Sequence, residues 1–392
     1  MRANKTGIIS LKSMIIMLLV SVYLFHFCKN HENNFTSFLY ELSAIAESER
    51  QIAMQNWLKK FDEYPIIEND HVIFIYRQDK EVPIYLSGDM NSWQPEDIPF
   101  LKIIGTGYYY SEQIYPRDAS LEYKFVKNGN YFLDPLNKKT STGGYGENSI
   151  LHMPDYEFPV ETLSNRFQNY TLLDTLEFSG KILADKRNVY VFRHLSAAVN
   201  APLIVFHDGS DYLNYAQAHI VLDNLILDDK IPPSNAIFID PVDRMAEQRF
   251  NDGYLKMVFK EILPFIKKEY QIAEETPLYM GGVSLSGLVS FYALKNFSDE
   301  LTGVFSQSGA FWIDSLKIIN ELENTDFSKV QLFFDYGTFE KQRSVHNQLI
   351  SFLDGKQAQF TYNVNHEGHN WSNWKGHLDD ALINLLNERV VN

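Results

Sequence analysis

The chain has 392 residues, 45% of them hydrophobic and 22% charged, with a net charge of −15. At about 150 residues per domain this allows two or three folded domains and excludes collagen-like, coiled-coil and low-complexity classes. So acidic a chain repels phosphate backbones, which argues against nucleic acid as a partner, and the single cysteine, Cys28, excludes an intrachain disulfide and a multi-cysteine zinc site.

In chain order, residues 1–30 come first. Met1 to Lys12 is basic and Met14 to Phe27 is a nearly unbroken apolar run, the layout of an export signal. The run falls short of the ~20 residues of a spanning helix unless Ile8, Ile9 and Leu11 extend it, so a membrane anchor is the other reading. Phe25, His26 and Phe27 offer a signal peptidase no small side chain. Cys28 stands where a lipoprotein carries its lipid, although Phe27 precedes it in place of a small residue, and an incidental thiol is the alternative. The expectation is export to the cell envelope, periplasmic or membrane-anchored.

Residues 31–66 carry apolar side chains at three-and-four spacing: Phe38, Leu39, Leu42, Ile45 and Ala46, then Ile52, Ala53, Trp57, Leu58 and Phe61. This spacing predicts one or two amphipathic helices, a stalk or a packing element. Over 67–158 the period changes to two, as in Val72, Phe74, Tyr76 and Val82, Ile84, Leu86, with turn clusters at Gly88-Asp89, Gly105-Thr106-Gly107, Asn128-Gly129-Asn130 and Gly143-Gly144. Short strands between such turns predict a small all-β sandwich. The strings Leu86-Ser87-Gly88-Asp89-Met90-Asn91-Ser92-Trp93, Glu122-Tyr123-Lys124-Phe125, Asp134-Pro135 and Asn148-Ser149 resemble the early-set immunoglobulin-like domain that precedes α-glucan-acting enzymes and many bacterial esterases. Some members of that family bind glycans; here only Trp93 offers an indole, and a structural or substrate-shaping role is the other reading.

Over 165–392 strand-like and helix-like stretches alternate. Strands are expected at 188–192, 202–206, 236–239, 278–281, 303–306, 330–334 and 359–364, and helices at 215–227, 252–268, 285–296, 314–322, 343–353 and 376–386. The alternation predicts an α/β fold with a largely parallel sheet covered on both faces and chemistry at the carboxyl ends of its strands.

Three segments carry that chemistry. Tyr279-Met280-Gly281-Gly282-Val283-Ser284-Leu285-Ser286-Gly287 places Ser284 between a strand and a helix among small residues, as a nucleophile elbow requires. Ser286 stands where G-x-S-x-G has its second glycine; taking Ser286 itself as nucleophile would put Leu288 where a small residue belongs. Asn365-His366-Glu367-Gly368-His369-Asn370-Trp371 follows the last expected strand, and His369 is the candidate base, with His366 and His377 as rivals. Phe334-Asp335-Tyr336-Gly337-Thr338-Phe339-Glu340 supplies the acid that would orient the imidazole, Glu340 first and Asp335 second. The order nucleophile, acid, histidine is that of a serine hydrolase. The backbone N–H groups of Leu285 and Ser210 are the expected oxyanion donors. His366 and His369 are three apart with no helix to carry them, so no metal and no cofactor are expected.

The blocks His207-Asp208-Gly209-Ser210, Arg244-Met245-Ala246-Glu247-Gln248-Arg249-Phe250-Asn251, Glu261-Ile262-Leu263-Pro264, Gly281-Gly282-Val283-Ser284, Ser306-Gln307-Ser308-Gly309 with Trp312, and Gly368-His369-Asn370-Trp371 with Trp374 are, in this order, similar to the enterochelin esterase-like esterases of the α/β-hydrolase superfamily. The resemblance implies a metal-independent serine esterase with Ser284, His369 and Glu340 as its triad. Ser286 departs from the pattern and leaves full activity to be tested. The resemblance also places Arg244 near the site rim, either holding a substrate anion or pairing to position its loop, and Trp312, Trp371 and Trp374 around an acyl pocket or in the core beside it. The expected reaction is hydrolysis of a carboxylic ester, of a siderophore or of the feruloyl and acetyl groups of plant polysaccharide, with a non-catalytic glycan-binding scaffold as the alternative of another class.

Overall fold

The computed structural model describes residues 34–163 and 171–387. The expected export or anchor segment and Cys28 lie outside them. No helix among the described residues is long and apolar enough to cross a membrane. The described residues divide into two compact units, one of 34–82 with 100–115, the other of 83–99 with 116–163 and 171–387.

In the first unit, helices Asn34–Ala44 and Glu47–Leu58 accompany a four-stranded antiparallel sheet of β1 (Ile66–Glu68), β2 (His71–Arg77), β5 (Leu101–Lys102) and β6 (Tyr108–Ile114). The three-and-four spacing lays Phe35, Leu42, Met54 and Trp57 on Ile66, Ile73 and Ile75 of that sheet. Removing these side chains from water is what holds the helices down. They are packing elements of a folded unit.

The second unit begins with an antiparallel sheet in the order β4 (Ile98–Pro99), β3 (Ile84–Gly88), β7 (Ser120–Lys127), β10 (Gly146–His152), β9 (Thr140–Gly143), with β8 (Asn130–Phe132) paired to β7. It continues into an eight-stranded sheet of β11 (Thr171–Ser179), β12 (Lys186–His194), β13 (Leu203–His207), β14 (Asn235–Ile239), β15 (Leu278–Val283), β16 (Gly303–Gln307), β17 (Gln331–Gly337) and β18 (Gln359–Asn365). The spatial order is 11-12-14-13-15-16-17-18. The six strands β13 to β18 run parallel to one another, while β12 pairs antiparallel with β14 and β11 antiparallel with β12 at one edge. All seven expected strands are present, and β11 is an eighth, paired antiparallel at one edge.

Alternate residues of each central strand enter opposite cores. Val205, Ile237 and Met280 meet Leu255, Ile262 and Val289 on one face, while Phe206, Phe238 and Tyr279 meet Leu222, Trp374 and Leu382 on the other. A sheet covered twice in this way leaves its strand ends as the place where polar side chains can gather.

Candidate active site

Strand β15 ends at Val283 and the helix Leu285–Phe297 starts two residues later, leaving Ser284 alone at φ 55°, ψ −114°. Such a conformation costs an L-residue about 1–3 kcal/mol and persists only where its surroundings hold it. Here the Ser284 N–H donates to Gln307 O at 2.9 Å, and Ser284 O accepts from Ala310 N–H at 2.8 Å. Ser286 adds a third restraint: its buried Oγ accepts from Val283 N–H at 2.8 Å and donates to Val283 O at 2.7 Å. A Cβ on Gly282 would lie 2.5 Å from that Oγ, so glycine at 282 and serine at 286 fit as a pair. The departure from G-x-S-x-G is thus absorbed by two hydrogen bonds that tie the helix start to the strand end.

Ser284 Oγ lies 2.9 Å from His369 Nε2, and His369 Nδ1 lies 3.2 Å from Glu340 Oε2. Glu340 is buried, and its other oxygen accepts from Gly337 N–H at 2.8 Å and from Ser308 Oγ–H. Burial alone would raise this carboxyl, but the hydrogen bond and charge of His369, with those from Ser308 and Gly337, hold it below the ordinary glutamate range. An ionised Glu340 favours the tautomer with hydrogen on Nδ1, which leaves Nε2 free to accept from Ser284. Asp335 does not reach the imidazole. It is fully buried against Ser308 N–H and Gln307 Nε2, and burial pushes its carboxyl up to about 7.

The other expected site residues divide. Leu285 opens the helix immediately after Ser284, so its N–H is one of the first-turn groups with no intrahelical partner. Ser210 is a correction: its N–H donates to Asp240 Oδ1 at 2.7 Å, and a hydrogen held by a carboxylate cannot also serve an oxyanion. Arg244 donates Nε and Nη2 to Asp208 at 2.7–3.0 Å and also lines the cavity at Ser284. Glu247 holds the buried Arg187 at 2.8 Å, and Asn251 caps the helix Asp252–Met257, so that block positions its own backbone. Trp312 meets the His369 ring edge-on at 5.6 Å, and Trp374 does so at 5.0 Å while donating Nε1–H to Ser308 Oγ at 2.9 Å. Trp371 is mostly buried between Tyr212 and Trp374 and shows one edge to the cavity. His366 pairs with Asp118 at 2.7 Å. Trp93 is half-buried and donates to Asp89 at 3.1 Å.

The cavity at Ser284 has a volume of about 380 Å³, and Glu122 and Asn148 of the antiparallel sheet of the same unit, with Tyr145 from the turn between β9 and β10, line it with His369 and Arg244. That sheet also holds the histidine loop. Asp89, buried at the end of β3, accepts from Asn370 Nδ2 at 2.8 Å and from Glu122 N–H at 2.7 Å, and a Cβ on Gly368 would sit 2.2 Å from its Cγ. In the sequence Asp89 stands only as part of a turn motif, and Ser308 as part of a block with no role of its own. Nothing local in either string shows that it meets residues from elsewhere in the chain. Asp89→Ala should leave a folded protein whose kcat is lower by about 10- to 100-fold at little-changed KM, because the loop that aims His369 loses its anchor. Steady-state kinetics beside circular dichroism would check it.

His377 backs the same loop, 2.8 Å from Glu367 Oε1 and 3.3 Å from Asp380 Oδ2. Burial would lower its pKa, but the hydrogen bonds to Asp380 and Glu367 win and raise it from 6.5 to about 10. Because the folded state holds this proton more tightly than the unfolded state, its stabilisation is complete below 6.5 and is lost as pH rises through about 10. The melting-temperature gap between the protein and His377→Gln should therefore be widest near pH 6 and narrow towards pH 10.

Residues 180–385 match the family described as Esterase: Putative esterase. The chain belongs to this esterase family. Among curated relatives, the iron(III) enterobactin esterase of Escherichia coli K12 is 28% identical over 186 residues, 46% of either chain, so the match spans about half of that relative's length. Two solved structures share the fold across nearly their whole length. A crystal structure of the Shigella flexneri enterobactin esterase in the presence of enterobactin has a TM-score of 0.70 at 20% identity, covering 84% of this chain and 97% of that one. The ferric enterobactin esterase of Salmonella typhimurium has a TM-score of 0.73 at 19% identity, covering 86% of this chain and 100% of its own. This chain thus shares with those structures the fold of a largely parallel sheet preceded by antiparallel sheets.

Proposed function

We propose that the protein is a serine esterase that hydrolyses carboxylic esters of the siderophore class by two-step acyl transfer. The observation that carries this is the unbroken line of contacts from Ser284 Oγ through His369 to the buried Glu340. Ser284 Oγ attacks the ester carbonyl while its proton passes to His369 Nε2. The tetrahedral oxyanion is held by the Leu285 N–H and the amino end of its helix. Collapse breaks the carbon–oxygen bond, and His369 returns the proton to the departing alkoxide. Water, deprotonated by the same imidazole, then attacks the acyl-enzyme, and the acid leaves as Ser284 recovers its proton. The identity with the Escherichia coli iron(III) enterobactin esterase, and the fold shared with enterobactin esterases, support a siderophore-type ester over a carbohydrate ester.

A fluorophosphonate probe should label the protein on Ser284 and fail on Ser284→Ala. In parallel assays a catecholate trilactone should turn over faster than feruloylated or acetylated xylan. Labelling with turnover of the xylan alone would move the substrate to the carbohydrate class. Absence of labelling in folded protein would leave a non-catalytic scaffold.

A further inference from the structure

A second cavity, of about 390 Å³, shares Trp371 with the cavity at Ser284 and is otherwise built from different residues. Strand β9 serves both: Gly143 lines the cavity at Ser284, while Ser141 and Thr142 line the second. Gly143 packs on Trp371, with a Cβ there placed 3.4 Å from Cδ1. Aromatic rings form part of the walls of the second cavity, beside polar side chains such as Ser141, Thr142, Asn214 and Gln217. His152 stacks on Tyr156 with centroids 4.6 Å apart and 11° between planes, and Tyr215 tilts against Trp371 at 5.5 Å. Burial, with Lys139 nearby, lowers His152 to about 4, so it is a neutral ring at neutral pH.

Lys375 lines this cavity from the helix Trp371–Gly376. It is half-buried, its Nζ donates to Gln217 Oε1 at 2.8 Å, and among the described residues no carboxylate pairs with it. Burial draws its ammonium below the usual lysine range, with no acid offsetting it. This is unusual for a chain with 50 acidic residues against 35 lysines and arginines. A partly desolvated cation without a counter-ion gains from an anion that brings its own apolar surface, and stacked rings offer that surface a slot.

We propose that this cavity is a subsite for an anionic aromatic group, an aryl carboxylate or an acidic phenol, carried on a second arm of the substrate. Lys375 is its counter-ion and the rings of Trp371, Tyr215 and Tyr156 are its walls. The inference rests on the esterase reading for its substrate, and it gives that reading a specificity: the preferred ester has two arms, one presenting its carbonyl to Ser284 and the other seated past Trp371.

The test separates binding from chemistry. Full-length Ser284→Ala protein is titrated by calorimetry with 2-naphthoate and, separately, with the uncharged 2-naphthamide. Naphthoate should bind, should bind at least tenfold more weakly when Lys375→Met is added, and should recover with Lys375→Arg. Naphthamide should bind Ser284→Ala as weakly as naphthoate binds the Met variant. Equal naphthoate affinity with and without Lys375→Met, naphthamide binding as well as naphthoate, or loss on Arg244→Gln but not on Lys375→Met would each overturn the proposal. Should Lys375→Met fail to fold, the Arg variant and the naphthamide comparison still decide. None of these readouts needs turnover, so failure of the esterase reading would show separately, as absent fluorophosphonate labelling.

Discussion

Ser284→Ala should lower kcat by about 10⁵- to 10⁶-fold, and His369→Ala by a similar factor, with the double variant no slower than either alone. The reason is that the two side chains act as one device. Without the imidazole, the hydroxyl at Ser284 keeps its proton at neutral pH and is a poor nucleophile; without the hydroxyl, the imidazole has nothing to activate but water. Their separation of 2.9 Å already suits proton transfer, so no loop movement is needed to join them. Single-turnover measurement on an activated ester would read all three variants. Multiplicative losses in the double variant would show that the residues act independently and would remove the basis of the mechanism.

Glu340→Gln should cost about 10³- to 10⁴-fold in kcat at nearly constant KM, while Asp335→Asn should cost far less in kcat and show its effect in melting temperature. Both carboxyls belong to the same strand-to-loop segment, but they face different neighbours. Glu340 Oε2 faces His369 Nδ1 at 3.2 Å, and the partners on its other oxygen help keep it ionised. A glutamine there can turn its amide N–H toward the ring and stabilise the wrong tautomer. Asp335 instead braces Ser308 and Gln307 beneath the elbow, with its carboxyl raised to about 7 by burial. Kinetics and thermal melts of the two variants together separate the roles; the opposite pattern would exchange them.

The parallel strands, the elbow at 284 and the Gly-His segment are legible in the sequence because each depends on neighbours close along the chain. Continuous apolar runs mark buried strands, and small residues around a serine mark a tight turn. The choice between Glu340 and Asp335 is of another kind, since both stand at the same strand end and only the path of the loop after Gly337 decides which reaches the imidazole. The Ser210 N–H fails as an oxyanion donor for a similar reason: Asp240, from the neighbouring strand end, captures it first.

By itself, the order of residues determined that this is an α/β protein with a serine poised at a strand end and a histidine delivered late in the chain, because periodicity and turn chemistry are local properties. Only the tertiary structure decided that Asp89, just past a strand of the antiparallel sheet near the start of the chain, anchors the loop carrying His369, that Ser286 reinforces the elbow, and that Lys375 lines a second cavity with Gln217, and no carboxylate among the described residues, as its partner. Each of these is a contact between residues whose partners are set by packing across the fold, and no pattern within a single segment encodes such a meeting.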